Sequence, residues 1–184
     1  EDVGMSSSRL ERLDDALQEY VDEDRLPGGV AVVLRHGQVV YQNAFGLRDR
    51  EVGDAMQATD RFRIASQSKA LVSVAVMMLQ EEGSLLISDR VSRYLPAFSN
   101  TTVAVADGDD DYEVVEADRA VTLRDLLTHT AGVGYGGGAG AREWEEAEVQ
   151  GWYFAHRDEP IRATVDRIAS LPFDRQPGDA FVYG

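Results

Sequence analysis

Ser66 and Lys69 stand three residues apart in Ser66-Gln67-Ser68-Lys69, and on a helix that spacing puts both side chains on one face, within reach of each other. A serine hydroxyl is a weak nucleophile until something takes its proton, and a lysine neutralised by burial or by nearby positive charge can do so. With Ser66 in the first turn, a free backbone N–H and the positive end of the helix dipole also face a developing oxyanion. Ser-x-x-Lys occurs by chance in many chains, and an ordinary N-cap serine beside a snorkelling lysine is the plain alternative. Here the lysine is the only one present; the other seventeen of the eighteen cations are arginine. A chain that avoids lysine everywhere else keeps one beside this serine.

The remaining chemistry-bearing residues are weaker candidates. His129 in Leu126-Leu127-Thr128-His129-Thr130 could be mistaken for a general base, while His36, in a turn, and His156, in a polar segment, are expected in solvent. Three scattered histidines do not make a metal site. Asp107, Asp109 and Asp111 begin a calcium-loop spacing, but Tyr112 stands where the turn glycine belongs and Asp118 where the closing glutamate belongs, so a solvated loop is expected. The glycines from Gly132 to Gly140 lack a following Gly-Lys-Ser/Thr and read as a flexible loop near the site mouth, not as a phosphate cradle. No Gly-x-Ser-x-Gly occurs, against an α/β-hydrolase nucleophile elbow. No metal and no organic cofactor is expected.

The segment that must position Ser66 and Lys69 is apolar on nearly every face from Ser66 to Gln80 and ends at Gly83, a C′ glycine. Such a helix is expected at the centre of its domain. Before it, Ser6-Ser7-Ser8 lead into a capped helix whose Leu10, Leu13, Leu17 and Tyr20 share a face, and Pro27-Gly28-Gly29 ends that segment. Val30–Leu34 and Val39–Phe45 flank the turn Arg35-His36-Gly37-Gln38 as a β-hairpin buried on at least one face. After it, a short helix is expected over Asp89–Leu95, stopped at Pro96, then strands over Thr101–Val105 and Tyr112–Val115. Further helices are expected after Thr122, over Glu143–Val149 and over Pro160–Leu171.

The chain has 184 residues and 20.2 kDa, 43% hydrophobic and 28% charged, which is globular composition. A net charge of −15 disfavours nucleic acid and anionic membranes. The acidic surplus reads as solubilising surface charge, with a salty habitat as the alternative. No stretch approaches the roughly 20 apolar residues of a membrane-spanning helix. Glu1-Asp2 stand where the basic n-region of a secretory signal would be, which leaves the compartment unknown: cytoplasm, or periplasm or exterior after removal of a signal. With no cysteine, disulfides, thiolate nucleophiles and cysteine-based zinc sites are excluded.

Arg63-Ile64-Ala65-Ser66-Gln67-Ser68-Lys69, Glu82-Gly83-Ser84-Leu85 and Val91-Ser92-Arg93-Tyr94-Leu95-Pro96 together resemble the serine β-lactamase-like superfamily. That superfamily holds class C β-lactamases, D-alanyl-D-alanine carboxypeptidases and family VIII carboxylesterases, and Ser-x-x-Lys is its signature. Val121–Val133 is similar to a second family block and Gln176-Pro177-Gly178 through Tyr183 to a third, in the family's order along essentially the whole chain. Tyr135-Gly136 leans toward the esterase branch. The resemblance implies an α/β (α+β), β-lactamase/transpeptidase-like fold, with an antiparallel sheet flanked by helices plus a helical region. It also implies a catalytic tyrosine at Tyr183, which by its residues alone could equally be a half-buried aromatic at a strand end.

On that footing, residues 1–58 supply a helix and hairpin to the sheet domain, and 59–184 a mainly helical region with Ser66 in the cleft. The implied activity is acyl transfer to Ser66, with Lys69 and Tyr183 handling the proton. Small esters are the first substrate class, and β-lactams or D-Ala-D-Ala peptides (penicillin binding) the second. A noncatalytic sensor of the same fold is the rival. The family's remaining C-terminal strands, its Lys-Thr-Gly-like or His-x-Gly-like strand and the second oxyanion donor are absent. Polypeptide outside these 184 residues is therefore expected to cover the apolar faces of the hairpin and of the N-terminal helix.

Overall fold

A computed structural model describes residues 3–108, 111–150 and 158–184. The chain divides into two compact units, 1–65 and 66–184.

In the first unit, α1 (Ser7–Asp22) follows Ser6, which takes the extended N-cap conformation. Asp24 ends α1 in the left-handed region at φ 59°, so the Arg25 N–H closes back on the Tyr20 carbonyl at 2.9 Å, ahead of Pro27. Strands β1 (Gly28–Arg35), β2 (Gln38–Asp49) and β3 (Asp54–Ala55) form an antiparallel sheet in that order. The β1–β2 turn has two central residues, His36 and Gly37, both at positive φ (48° and 75°), the twist that a tight hairpin requires. Val33 pairs with Tyr41 and Leu34 with Val39, so Val40 is bulged out.

One face of this hairpin is covered. Asp14 of α1 accepts hydrogen bonds from the Tyr41 hydroxyl (2.7 Å) and the Asn43 amide (2.6 Å), two residues apart on β2 and hence on one face. Phe45, next on that face, is the one buried residue of the unit among those described, its ring lying against the space left by Gly29. Val32, Leu34 and Val39 are exposed, and α1 buries none of its side chains.

The second unit begins with α2 (Gln67–Glu81), closed by Gly83 at φ 75°, with the Ser84 N–H bonded to the Leu79 carbonyl at 2.9 Å. Contrary to the expectation of a buried central helix, α2 buries no side chain; Leu71, Val72 and Val74 are each at least 60% exposed. An all-round apolar helix needs cover on every side, and this chain faces it with one: the stretch from Leu123 to Val133, across an apolar cavity. The single helix expected over Asp89–Leu95 is instead a 3-10 turn at Val91–Arg93. Pro96, whose fixed φ suits the start of a helical turn, opens a second at Pro96–Asn100.

The core lies beyond α2. Strands β4 (Thr102–Ala106) and β5 (Tyr112–Glu116) pair antiparallel, and helices α3 (Leu123–Leu127), α4 (Ala141–Glu146) and α5 (Ile161–Ala169) follow. Phe173 adds to the other edge of β4: its N–H bonds to the Thr102 carbonyl at 2.8 Å, and its carbonyl accepts from Ala104 at 2.9 Å. Val91, Phe98, Val103, Val121, Trp144 and Phe173 lead the buried cluster, with Phe98 and Phe173 edge to face at 6.4 Å. The Trp144 indole N–H is satisfied by the Pro172 carbonyl at 2.8 Å.

Thr122 caps α3 as expected, and Asp125 completes a reciprocal capping box. The buried Asp125 carboxylate also accepts from Arg119 (2.7 and 2.9 Å) and from the Thr130 hydroxyl (3.1 Å). The Arg119 guanidinium above all, and then the Thr122 hydroxyl and N–H, hold this carboxyl well below the usual carboxylate range against the cost of burial. A depressed folded-state value means that the stabilisation is complete above the unfolded carboxylate range, near about pH 4, and is lost as pH falls toward the folded value. Asp125→Asn is expected to cost about 1–3 kcal/mol at neutral pH, kept to that range because Arg119 is 45% exposed. The variant should also lose less stability on acidification than the parent; denaturant melts of both proteins at neutral and acid pH measure the two effects.

Candidate active site

Ser66 is the N-cap residue of α2, and its own side chain makes no capping bond, so the hydroxyl is left for other partners. Ala65, immediately before it, sits at φ 44°, a conformation rare for a residue with a Cβ, costing on the order of 1 kcal/mol and found where a chain must present a side chain in one direction. The Lys69 N–H bonds to the Ser66 carbonyl at 3.1 Å, and the N–H groups of Gln67 and Ser68, ahead of it in α2, have no intrahelical acceptor. They offer donors to an oxyanion formed on a carbonyl that Ser66 attacks.

Lys69, half-buried one turn on, donates from Nζ to the Ser66 Oγ at 3.4 Å. The same Nζ lies 4.7 Å from the centre of the Tyr183 ring. The Tyr183 phenol is held below its ordinary value, chiefly by a hydrogen bond from the Ser66 hydroxyl, with the Lys69 hydrogen bond and charge adding to it and partial burial opposing it. Tyr183, 114 residues beyond Lys69 in the chain, is thus brought beside the Ser66–Lys69 pair: the Lys69 Nζ reaches the Ser66 Oγ at 3.4 Å and lies 4.7 Å from the Tyr183 ring centre. Among the described residues Lys69 forms no ion pair, although the chain carries 33 acidic residues. Its charge therefore acts on the hydroxyl and the phenol.

Tyr183 is carried there by its backbone. The segment after Phe173 runs beside the block after α3: Asp174 N–H bonds to the Gly132 carbonyl (2.8 Å), Gly178 N–H to Thr130 (2.7 Å) and Val182 N–H to His129 (2.8 Å). Gly132 is required for this approach, since it sits at φ 84° and a Cβ there would stand 2.0 Å from the Arg175 carbonyl oxygen.

The glycine-rich stretch, expected as a flexible loop near the site mouth, runs close against Asp174. A Cβ at Gly134 or Gly138 would meet the Asp174 carboxylate at 2.5 or 2.1 Å, so these glycines let the backbone close on that side chain. Burial pushes the Asp174 carboxyl up, partly offset by the Gly138 N–H. Tyr135, from the same stretch, packs edge-on to Tyr183 at 6.1 Å.

His36 is exposed in its turn, and His156 and Asp109 lie outside the described residues. Asp107 and Asp111 close a loop through the Asp107 N–H and the Asp111 carbonyl at 2.8 Å, and no cluster of three potential metal ligands occurs among the described residues. Sequence reasoning missed the part His129 plays beside Tyr183, the left-handed Ala65, and Asp174. Only Asp125 carried a visible signal, three residues after a capping threonine.

A family model for Beta-lactamase matches residues 13–184. Esterase EstB of Burkholderia gladioli is 35% identical over 178 residues, which are 97% of this chain and 43% of that protein. The putative penicillin-binding protein PbpX of Bacillus subtilis (strain 168) is 35% identical over 105 residues, 57% of this chain and 22% of that one. Among solved structures, "EstCE1, a hydrolase with promiscuous acyltransferase activity" superposes with a TM-score of 0.77 at 30% identity, over 95% of this chain and 43% of its own. The chain thus spans less than half the length of these relatives and holds part of their fold.

Gly132→Ala is expected to destabilise the second unit by about 3 kcal/mol or more, combining left-handed strain with a backbone collision. Thermal or denaturant melts would show it, and Gly137→Ala, where a Cβ meets nothing within 4 Å, should cost far less.

Proposed function

This chain belongs to the beta-lactamase family of serine hydrolases, and within that family we propose that it carries the nucleophilic half of a carboxylesterase acting on small esters through an acyl-enzyme on Ser66. The observation that carries this reading is the placement of Lys69 Nζ between the two others, 3.4 Å from the Ser66 Oγ and 4.7 Å from the centre of the Tyr183 ring. Similarity to an esterase along 97% of this chain, and Tyr135-Gly136 after the Thr128–Gly132 block, favour esters over lactams.

In the proposed cycle Ser66 Oγ attacks the ester carbonyl carbon while its proton passes to the Tyr183 phenolate, which the Lys69 charge stabilises. The first N–H groups of α2 stabilise the oxyanion as the C=O bond becomes a C–O single bond. Collapse breaks the bond to the leaving alcohol, which takes the proton from Tyr183. Water, deprotonated by the same phenolate, then attacks the acyl carbon; the bond from that carbon to Ser66 Oγ breaks, Oγ takes the proton back from Tyr183, and the acid leaves. No metal or organic cofactor has a step in this cycle. The apolar faces left open on the hairpin and on α2 belong, in this reading, against further polypeptide of the same fold. A second reading, acylation by β-lactams, is favoured by the similarity to PbpX.

With the complete protein, Ser66→Ala is expected to abolish both p-nitrophenyl butyrate hydrolysis and covalent labelling by a fluorophosphonate, read by intact mass. Unchanged turnover in Ser66→Ala would overturn the reading, and nitrocefin turnover exceeding ester turnover would move it to the lactam branch. Because the phenol is held low, kcat/KM should rise with pH through a limb lying below the free tyrosine value of about 10. Tyr183→Phe should remove that limb and lower the rate by about 10²–10⁴-fold.

A further inference from the structure

One residue holds Tyr183 from three sides. The His129 ring lies 4.7 Å from the Tyr183 ring, centre to centre, with 34° between their planes. The His129 carbonyl accepts the Val182 N–H at 2.8 Å, and its Nδ1 accepts the Gly184 N–H at a long 3.5 Å. Both neighbours of Tyr183 are therefore bonded to the residue whose ring covers Tyr183 itself. Phe181 packs edge-on to the same imidazole at 5.4 Å, fixing it from a second direction.

His129 is itself fixed. It sits at φ 57°, a left-handed position that histidine tolerates better than most residues. The next residue is tied to buried Asp125 twice, by the Thr130 N–H on its carbonyl (2.8 Å) and the Thr130 hydroxyl on its carboxylate (3.1 Å). The Asp125 capping box thus reaches the phenol through His129.

We propose that His129 is a positioning residue for the reaction: the face of its imidazole sets the Tyr183 ring so that the phenol oxygen meets the Ser66 hydroxyl. This rests on the reading of Ser66, Lys69 and Tyr183 as the reacting groups. The Nδ1 of the same ring is occupied by the Gly184 N–H. What His129 gives Tyr183 is then its flat face and its backbone carbonyl, and the proton path runs through the phenol.

The test uses the complete protein, with kcat expressed per active site titrated by a fluorophosphonate. His129→Asn keeps the tolerance for the left-handed backbone and an acceptor for the Gly184 N–H but lacks the ring; His129→Phe keeps an aromatic face and lacks the nitrogens. His129→Asn should lower kcat about 10–100-fold with KM changed less than about threefold, as a displaced catalytic group does. It should also move the rising limb of the pH profile upward, as the phenol loses its contact with Ser66. His129→Phe should stay within about threefold of the parent, and melts should show both variants folded. An Asn variant within about twofold of the parent per titrated site overturns the proposal. So does a Phe variant that falls as far as the Asn one, since the nitrogens would then matter and not the face. If the Ser66→Ala control keeps its turnover, the reading of the site fails first and this proposal with it.

Discussion

The approach of the 174–182 backbone to the 129–132 backbone, three hydrogen bonds of 2.7 to 2.8 Å, is what makes a site of residues far apart in the chain. Without it, Ser66 and Lys69 are a hydroxyl and an amine on one helical turn, an arrangement found on many protein surfaces. With it, a phenol is delivered to both. The approach depends on a missing side chain: any Cβ at Gly132 would enter the Arg175 carbonyl, and the two segments would have to separate. Backbone hydrogen bonds contribute only about 1 kcal/mol each, but their geometry is what holds the Tyr183 segment beside the 129–132 block.

Electrostatics follows from the same arrangement. In a chain of net charge −15, a lone ammonium among carboxylates would ordinarily pair with one of them. Lys69 instead faces an oxygen and an aromatic ring, and its charge lowers the Tyr183 phenol. The arginines carry the ion pairs, as in Arg119 with Asp125 and Arg167 with Glu159 at 2.7 Å. Their planar guanidinium suits bidentate carboxylate binding and does not readily give up its proton. The division of labour explains why one lysine survives in a chain that otherwise uses arginine.

Local features were legible in the sequence, and long-range ones were not. Ser6, Thr122 and Gly83 announced helix ends because capping is settled by residues within one turn. His36-Gly37 announced a tight turn because two positive φ values must sit there. The family blocks announced Ser66, Lys69 and Tyr183. What stayed hidden depends on atoms distant in the chain: Asp174 closing on Gly134 and Gly138, and His129 lying flat on Tyr183. Position 96 misled because proline suits the first turn of a helix as well as the end of one. The apolar periodicity of α2 suggests a buried central helix and α2 buries no side chain, because a demand for burial does not say which polypeptide meets it.

That last point divides the site into two halves of unequal support. Tyr183 is tied by backbone bonds to a block whose Val121 and Ala131 belong to the buried cluster and whose Asp125 is anchored by Arg119. No residue of α2 belongs to that cluster, so the helix bearing Ser66 and Lys69 draws nothing from it. Burying a Leu or Val side chain is worth about 1.5–3 kcal/mol, and α2 leaves Leu71, Val72, Val74, Met78 and Leu79 largely in water. Covering them would contribute more than any interaction now holding Ser66 in place. The Tyr183 half is therefore rigid on its own account, whereas the precision of the Ser66 half is set by whatever packs on α2. The proposed chemistry joins the two, so in that reading cover on α2 acts on catalysis as well as on stability.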